Sequence, residues 1–209
     1  MERLLLGAAM SESKAVERAA AVLDAGGIAV LPAEGLYGFH IRPDRPVALE
    51  RLGALKPREG RRGWIGLIAD PSTLARYAGS VSRLTRDLVL EHWPGPLTLV
   101  VAASSAVPAA LRGEDGTVAL RCPGSSLLRA IIRNCGGLLL STSANAPGAH
   151  PAARPEDIPM AGIDLILDGG PLSGVPSTIV RVAGDEIRVL REGAIRLREG
   201  PLDAPEGAS

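Results

Sequence analysis

Apolar residues fall into short runs divided by Gly- and Pro-rich breaks, and these runs alternate with longer stretches at helical spacing. Leu4 to Leu6 is the first short run. After Ser11 or Ser13, either able to cap a helix, Ala15, Val16, Ala19, Ala20, Val22 and Leu23 recur at three- and four-residue intervals and predict a helix that Gly26 and Gly27 end. Ile28 to Leu31 is continuously apolar, as a strand buried on both faces would be. It opens into PAEGLYGF, where Pro32, Gly35 and Gly38 argue against regular structure and Glu34 and Tyr37 stand out chemically. Pro46 suits the first turn of a helix through Val47, Leu49, Leu52 and Leu55, ending at Lys56-Pro57-Arg58.

Ile65 to Ala69 predicts a strand, Asp70-Pro71 a short helix, and Val81 to Glu91 a longer one with Leu84, Leu88 and Val89 inward. Trp93-Pro94-Gly95-Pro96 is a rigid turn, with Trp93 as a core plug, before a strand over Leu97 to Ala102. Val107 to Leu111 predicts a short helix. Thr117 to Arg121 alternates, with Thr117, Ala119 and Arg121 on one face and Val118 and Leu120 on the other. Ser125 or Ser126 caps a helix through Leu127, Leu128, Ile131 and Ile132 that stops at Gly136-Gly137. Leu138 to Leu140 then runs into Ser141, Thr142, Ser143 and Asn145 before Pro147 and Gly148 break the chain, so a buried strand delivers hydroxyls and an amide onto a loop at its carboxyl end. Ile163 to Leu167, Ser177 to Val182 and Glu186 to Leu190 complete the strands, the last two joined as a hairpin by Ala183-Gly184-Asp185. Strand–helix alternation followed by hairpin strands predicts one α/β domain over residues 1–199, a mixed sheet with flanking helices. The tail over 200–209, with two prolines and two glycines, is expected to be disordered.

Composition narrows the function. The 209 residues carry 23 basic and 23 acidic side chains, so no global field draws in nucleic acid and any RNA binding needs a local patch. The two cysteines, Cys122 and Cys135, match neither a metal hook nor a redox pair, and His40, His92 and His150 are too scattered for a metal cluster. Tyr37, Phe39, Trp64, Tyr77 and Trp93 are too few for a base-stacking platform. MERLLLGAAM has too short an apolar run for a signal peptide or a membrane span, so the cytosol is the expected compartment.

No P-loop, GxGxxG or HExxH occurs, and no nucleophile–base–orienter set is visible. What recurs is a series of strand and helix ends offering cations and hydroxyls: Lys56 and Arg58, Thr117 and Arg121, Ser141 through Asn145, Ser177 and Thr178, and Arg191. Ligands bind open α/β sheets at strand ends, and such groups can neutralise a polyphosphate and a carboxylate together. Each also has a plainer reading. STSAN can be a turn that satisfies its own backbone, KPREGRR a solvated surface turn, and Arg121 half of a structural ion pair.

PAEGLYGF, KPR, WPGPLT, TVALRCP, STSANAPG, PSTIVRV and VLREGAI occur in the order and approximate spacing of the YrdC family, which the chain resembles over about residues 14 to 197. The pairing of KxR with a later SxN is that family's usual signature. The resemblance implies an open, twisted α/β fold with a positive concave cavity, in the short form without an extra C-terminal domain. It implies condensation of L-threonine, bicarbonate and ATP, with Mg2+ bound through the ATP phosphates, to threonylcarbamoyl-AMP and pyrophosphate. Downstream proteins would pass the threonylcarbamoyl group to an adenosine of tRNA. By position, Lys56, Arg58, Thr117, Ser143, Asn145 and Arg191 would face ATP, with Lys56 and Arg58 assisting the chemistry. Arg121, Ser141, Ser177 and Gly35 would face threonine.

Departures from the family pattern cluster on the threonine side. Ala33 and Gly35 stand where PTET is common, Arg61, Arg62 and Trp64 follow KxR, Leu67 replaces the His of some relatives and Pro151 the Ser of many. A paralogue acting on another carbamate or amino acid, and a structured-RNA-binding module without turnover, are the alternative readings.

Overall fold

The computed structural model describes residues 1–7, 10–57, 64–146, 148–197 and 200–201. Among the described residues eleven strands form one mixed sheet: β1 (Glu2–Leu5), β2 (Ala29–Pro32), β3 (Tyr37–Ile41), β4 (Ile65–Ile68), β5 (Leu97–Ala102), β6 (Thr117–Arg121), β7 (Leu138–Ser143), β8 (Leu165–Asp168), β9 (Thr178–Ala183), β10 (Glu186–Arg191) and β11 (Gly200–Pro201). The helices are α1 (Glu12–Asp24), α2 (Pro46–Leu55), α3 (Leu74–Tyr77), α4 (Arg83–His92) and α5 (Ser126–Asn134). The strand order is β1-β8-β2-β3-β7-β4-β6-β5-β9-β10-β11. The pairs β1/β8, β2/β8, β4/β6 and β5/β9 are parallel and the other six are antiparallel. Among the described residues no helix is long and apolar enough to cross a membrane.

Both sheet faces are buried, each against its own core. On one, Ala15, Ala19 and Leu23 of α1 and Leu128, Ile131 and Ile132 of α5 share a cluster with Ala29, Leu31, Leu67, Leu139, Leu165 and Leu167. On the other, Val30, Phe39, Ile68, Leu99 and Leu120 share a cluster with Leu52, Leu74 and Leu88. Trp93 is buried here, its indole N–H donating to the Leu97 carbonyl at 2.7 Å, which makes it the core plug its setting predicts.

Register decides which side chains meet. Cross-strand partners point to the same face, and so does every second residue along a strand. His40 pairs with Ser141, Ser141 with Ile65, Leu67 with Arg121, Ala119 with Val100 and Thr117 with Ala102. Ser141, Ser143, Thr117, Ala119, Arg121 and Thr98 therefore share the face that Leu139 and Leu67 bury beneath α5 elsewhere. Ser141, Ser143, Thr117 and Ala119 are only half-buried.

Several expectations change. PAEGLYGF is irregular only as far as the tight turn that Ala33 N–H closes on the Leu36 carbonyl at 3.0 Å; from Tyr37 the chain is a fully buried strand. Gly38 does not break β3 but admits neighbours, since a Cβ there would stand 2.8 Å from His40 Cε1 and 3.2 Å from Ser141 Oγ. The hydroxyls of STS lie within β7, not on a loop after it, because β7 pairs with β3 as far as Ser143 and Gly38. Val107 to Leu111 forms successive turns, with Val107 and Leu111 buried as plugs, where a helix was expected. The α4 helix starts at Arg83, because the Ser82 hydroxyl accepts from Thr85 N–H at 3.1 Å and caps it. Gly200 and Pro201, expected in the tail, pair with β10; residues 202–209 lie outside those described.

Candidate active site

Lys56 ends α2, its N–H bonded to the Leu52 carbonyl, and its side chain turns into the protein to only 3% exposure. Its ammonium donates to Asn145 Oδ1 at 2.6 Å and stands 5.8 Å from the Phe39 ring centre. Ser143 Oγ donates to the same Asn145 oxygen at 2.6 Å. The carboxamide is oriented by its other end, where Nδ2 donates to the Ala146 and Ala149 carbonyls at 2.9 and 2.7 Å. Lys56, Ser143 and Asn145 are thus brought into one hydrogen-bonded group. Arg58 lies outside the described residues, as do Arg61 and Arg62.

Farther across the sheet face, Thr117 Oγ1 donates to Asp115 Oδ1 at 2.7 Å. Thr117 and then Arg181 hold the Asp115 carboxyl below its ordinary range. Ser141 Oγ is 3.3 Å from His40 Nε2. Burial pushes the His40 imidazole down to about 4, so Ser141 faces a neutral ring at pH 7.

The second charged group gathers where β6, β9 and β10 approach one another. Arg121 is anchored by Nε donating to the Gly95 carbonyl at 3.0 Å, and its Nη2 pairs with the Glu34 carboxylate. The other Glu34 oxygen accepts the Gly124 N–H, next to the start of α5. Burial first, then the nearby Arg191, lower Arg121 to about 10, leaving it cationic at neutrality. Arg191 donates to the Ser177 carbonyl from Nε and Nη2 at 3.1 and 2.8 Å, and from Nη2 to Ser177 Oγ at 3.0 Å. Thr98 Oγ1 lies 3.0 Å from that same Ser177 oxygen. Arg191, which the resemblance assigns to ATP, is therefore bonded to Ser177, which the same resemblance assigns to threonine.

Gly35 offers backbone only. An ideal Cβ there would overlap the Val175 carbonyl oxygen, and its own carbonyl accepts the Gly174 N–H at 2.9 Å. The segment 172–176 is seated where the family's second hydroxyl would project. Tyr37 is a tether: its hydroxyl donates to the Gly170 carbonyl at 2.7 Å and accepts the Gly169 N–H at 3.0 Å. Sequence reasoning overlooked Thr98 and His40. Each interrupts a buried apolar strand with a polar side chain, the one signal that marks them out.

The arrangement presents an ammonium, hydroxyls and a carboxamide at one end of a sheet face and two guanidiniums at the other, which suits a ligand with two separate anionic groups. Known proteins point the same way. The Sua5/YciO/YrdC family model, described as telomere recombination, matches residues 21–193. A threonylcarbamoyl-AMP synthase of Nitrosococcus oceani is 35% identical over 157 residues, spanning 74% of this chain and 85% of the relative. Among solved structures, P. abyssi Sua5 carrying H234A and Y235A superposes with a TM-score of 0.86 at 27% identity, over 93% of this chain and 61% of its own. P. abyssi Sua5 complexed with L-threonine superposes with a TM-score of 0.82 at 27% identity, over 92% and 57% respectively. The chain thus spans less than two thirds of Sua5 but most of the bacterial synthase.

Proposed function

Because the chain belongs to the Sua5/YciO/YrdC family, we propose that it is a threonylcarbamoyl-AMP synthase serving tRNA modification. The observation that carries this reading is the meeting of Lys56, Ser143 and Asn145 at the end of β7, where Ser143 shares a sheet face with Arg121. In this reading ATP lies toward Lys56, Ser143, Asn145 and Thr117, with Arg58 completing the phosphate side. L-threonine lies toward Arg121, Ser141, Ser177 and the backbone of Gly35. Arg191 borders both, since its guanidinium reaches Ser177.

Threonine is a poor nucleophile while its nitrogen is an ammonium. Loss of a proton and addition to bicarbonate-derived carbon dioxide gives a carbamate. A carbamate oxygen attacks the α-phosphorus, a new P–O bond forms, the bond to the β-phosphate bridge breaks, and pyrophosphate departs. No covalent residue is required; the protein must hold two anionic reactants in line and neutralise developing charge. Lys56 does so as a buried point charge directed by Asn145. A magnesium ion held mainly by phosphate oxygens, with the hydroxyl oxygens of Thr117 and Ser143 keeping lone pairs for it, would supply further charge neutralisation; Asn145 Oδ1 is already taken by the Lys56 ammonium. The product would pass to tRNA-modifying proteins, and the buried free thiols of Cys122 and Cys135 suit a cytosolic setting.

The Val175 carbonyl over Gly35 favours one variant of this reading, an altered choice of amino acid, because a lost hydroxyl contact weakens discrimination. One assay tests both. Purified protein with ATP, magnesium, bicarbonate and single amino acids is expected to release pyrophosphate with threonine. Release with another amino acid only would reassign the substrate, and release with none would refute synthase activity.

A further inference from the structure

Glu34 is absent from the roles assigned above, yet both of its carboxylate oxygens are held. One carboxylate oxygen meets Arg121 and the other takes the Gly124 N–H just ahead of Ser125, whose hydroxyl caps the nine-residue helix α5. A cationic side chain, a free amide and a helix N-terminus converge there, and the group they hold is part of the chain. The two partners differ in mobility. The Arg121 side chain is 10% exposed and fixed through Nε to Gly95; the Glu34 side chain is 26% exposed and hangs from a turn. That turn's backbone is pinned, Ala33 to Leu36 and Gly35 to Gly174, so only the side chain is left to move. Arg191 adds a second cation, giving the seat one positive charge in excess.

We propose that the Arg121–Glu34 pair recognises the zwitterion of the amino-acid substrate by exchanging partners, a proposal that rests on the synthase reading. The substrate's carboxylate takes Glu34's place on Arg121 and the Gly124 N–H, and the displaced Glu34 carboxylate takes the adjacent ammonium. An α-amino acid carries its two charged groups on one carbon, and the pair is their mirror. One internal ion pair is given up and two are made. An anion without an ammonium must break the internal pair and leave Glu34 without its cation, so it is rejected. Glu34 thereby selects amino acids over the simple carboxylates of similar size that Arg121 would otherwise accept.

Calorimetric titration of the full chain with threonine and with 3-hydroxybutyrate, which keeps the carboxylate and hydroxyl but lacks the amine, tests this. In Glu34→Gln the Kd for threonine is expected to rise about tenfold, the scale of one lost charge-assisted bond, while the Kd for 3-hydroxybutyrate falls. Glu34→Ala repeats the measurement without a side chain able to bond Gly124. Weakening of both ligands would make Glu34 a mere brace for Arg121, and tightening of both would make it a mere competitor; either overturns the proposal. If threonine supports pyrophosphate release in the unaltered protein but the opposed shifts are missing, the partner exchange fails alone. If threonine neither binds nor supports release, the synthase reading fails with it.

Discussion

Asn145 accepts from Lys56, 89 positions earlier, and from Ser143, two positions earlier, on a single oxygen. Its neighbours were legible as a motif; that they converge on one atom was not, because hydrogen-bond partners are set by space and not by sequence separation. Removing the ammonium should therefore damage chemistry more than folding. Lys56→Ala is expected to lower pyrophosphate release at least about a hundredfold, the effect of losing one preorganised electrostatic contact, with little change in thermal midpoint. Steady-state rates beside a melting curve check it. His40 carries a different consequence. Its folded pKa, about 4, lies below the ordinary 6.5, so the unfolded chain binds the proton more readily and stability falls as pH drops from 6.5 toward 4. The loss is bounded at roughly 3 kcal/mol. Chemical denaturation across that range should show the slope, and His40→Gln should reduce it.

At the scale of elements, β5 and β6 span the residues that apolar runs and alternation predict, Leu97–Ala102 and Thr117–Arg121. Those strands pack by a pattern local to each. The β3 strand was hidden because Gly38 reads as a breaker when its reason for being glycine is the space taken by the folded-in His40 ring and by Ser141 on the paired strand β7. Gly35 is similar: the turn it belongs to was visible, whereas the 172–176 segment lying against it was not. Gly35→Ala must push that segment's backbone aside, and a destabilisation of about 1–3 kcal/mol is expected, as for other overpacked sites. Hydrogen exchange should show faster exchange at the Gly174 amide, whose bond to the Gly35 carbonyl would be broken.

For the whole molecule, the site spans strands drawn from distant parts of the chain, with β7 set between β3 and β4 and β9 beside β5. A ligand touching both ends of that face stabilises the assembled sheet by mass action. ATP and threonine, each at about a hundred times its Kd, are expected to add up to about 2.7 kcal/mol apiece. Thermal shift assays should show a rise with each ligand, and the ATP-dependent rise should shrink in Lys56→Ala.

By itself the sequence determined that the chain is an α/β protein of this family, and the resemblance put Lys56, Ser143 and Asn145 in one expected set with Arg58, Thr117 and Arg191. Hydrophobic period, caps and motif order are local, and local patterns survive in one dimension. Tertiary structure alone decided that Arg121 holds Glu34, 87 residues away, and that Arg191 turns to Ser177. It also decided that Val175 closes over Gly35. Charges select partners by proximity within a few ångströms, and that proximity exists only once the sheet has put its strands in order.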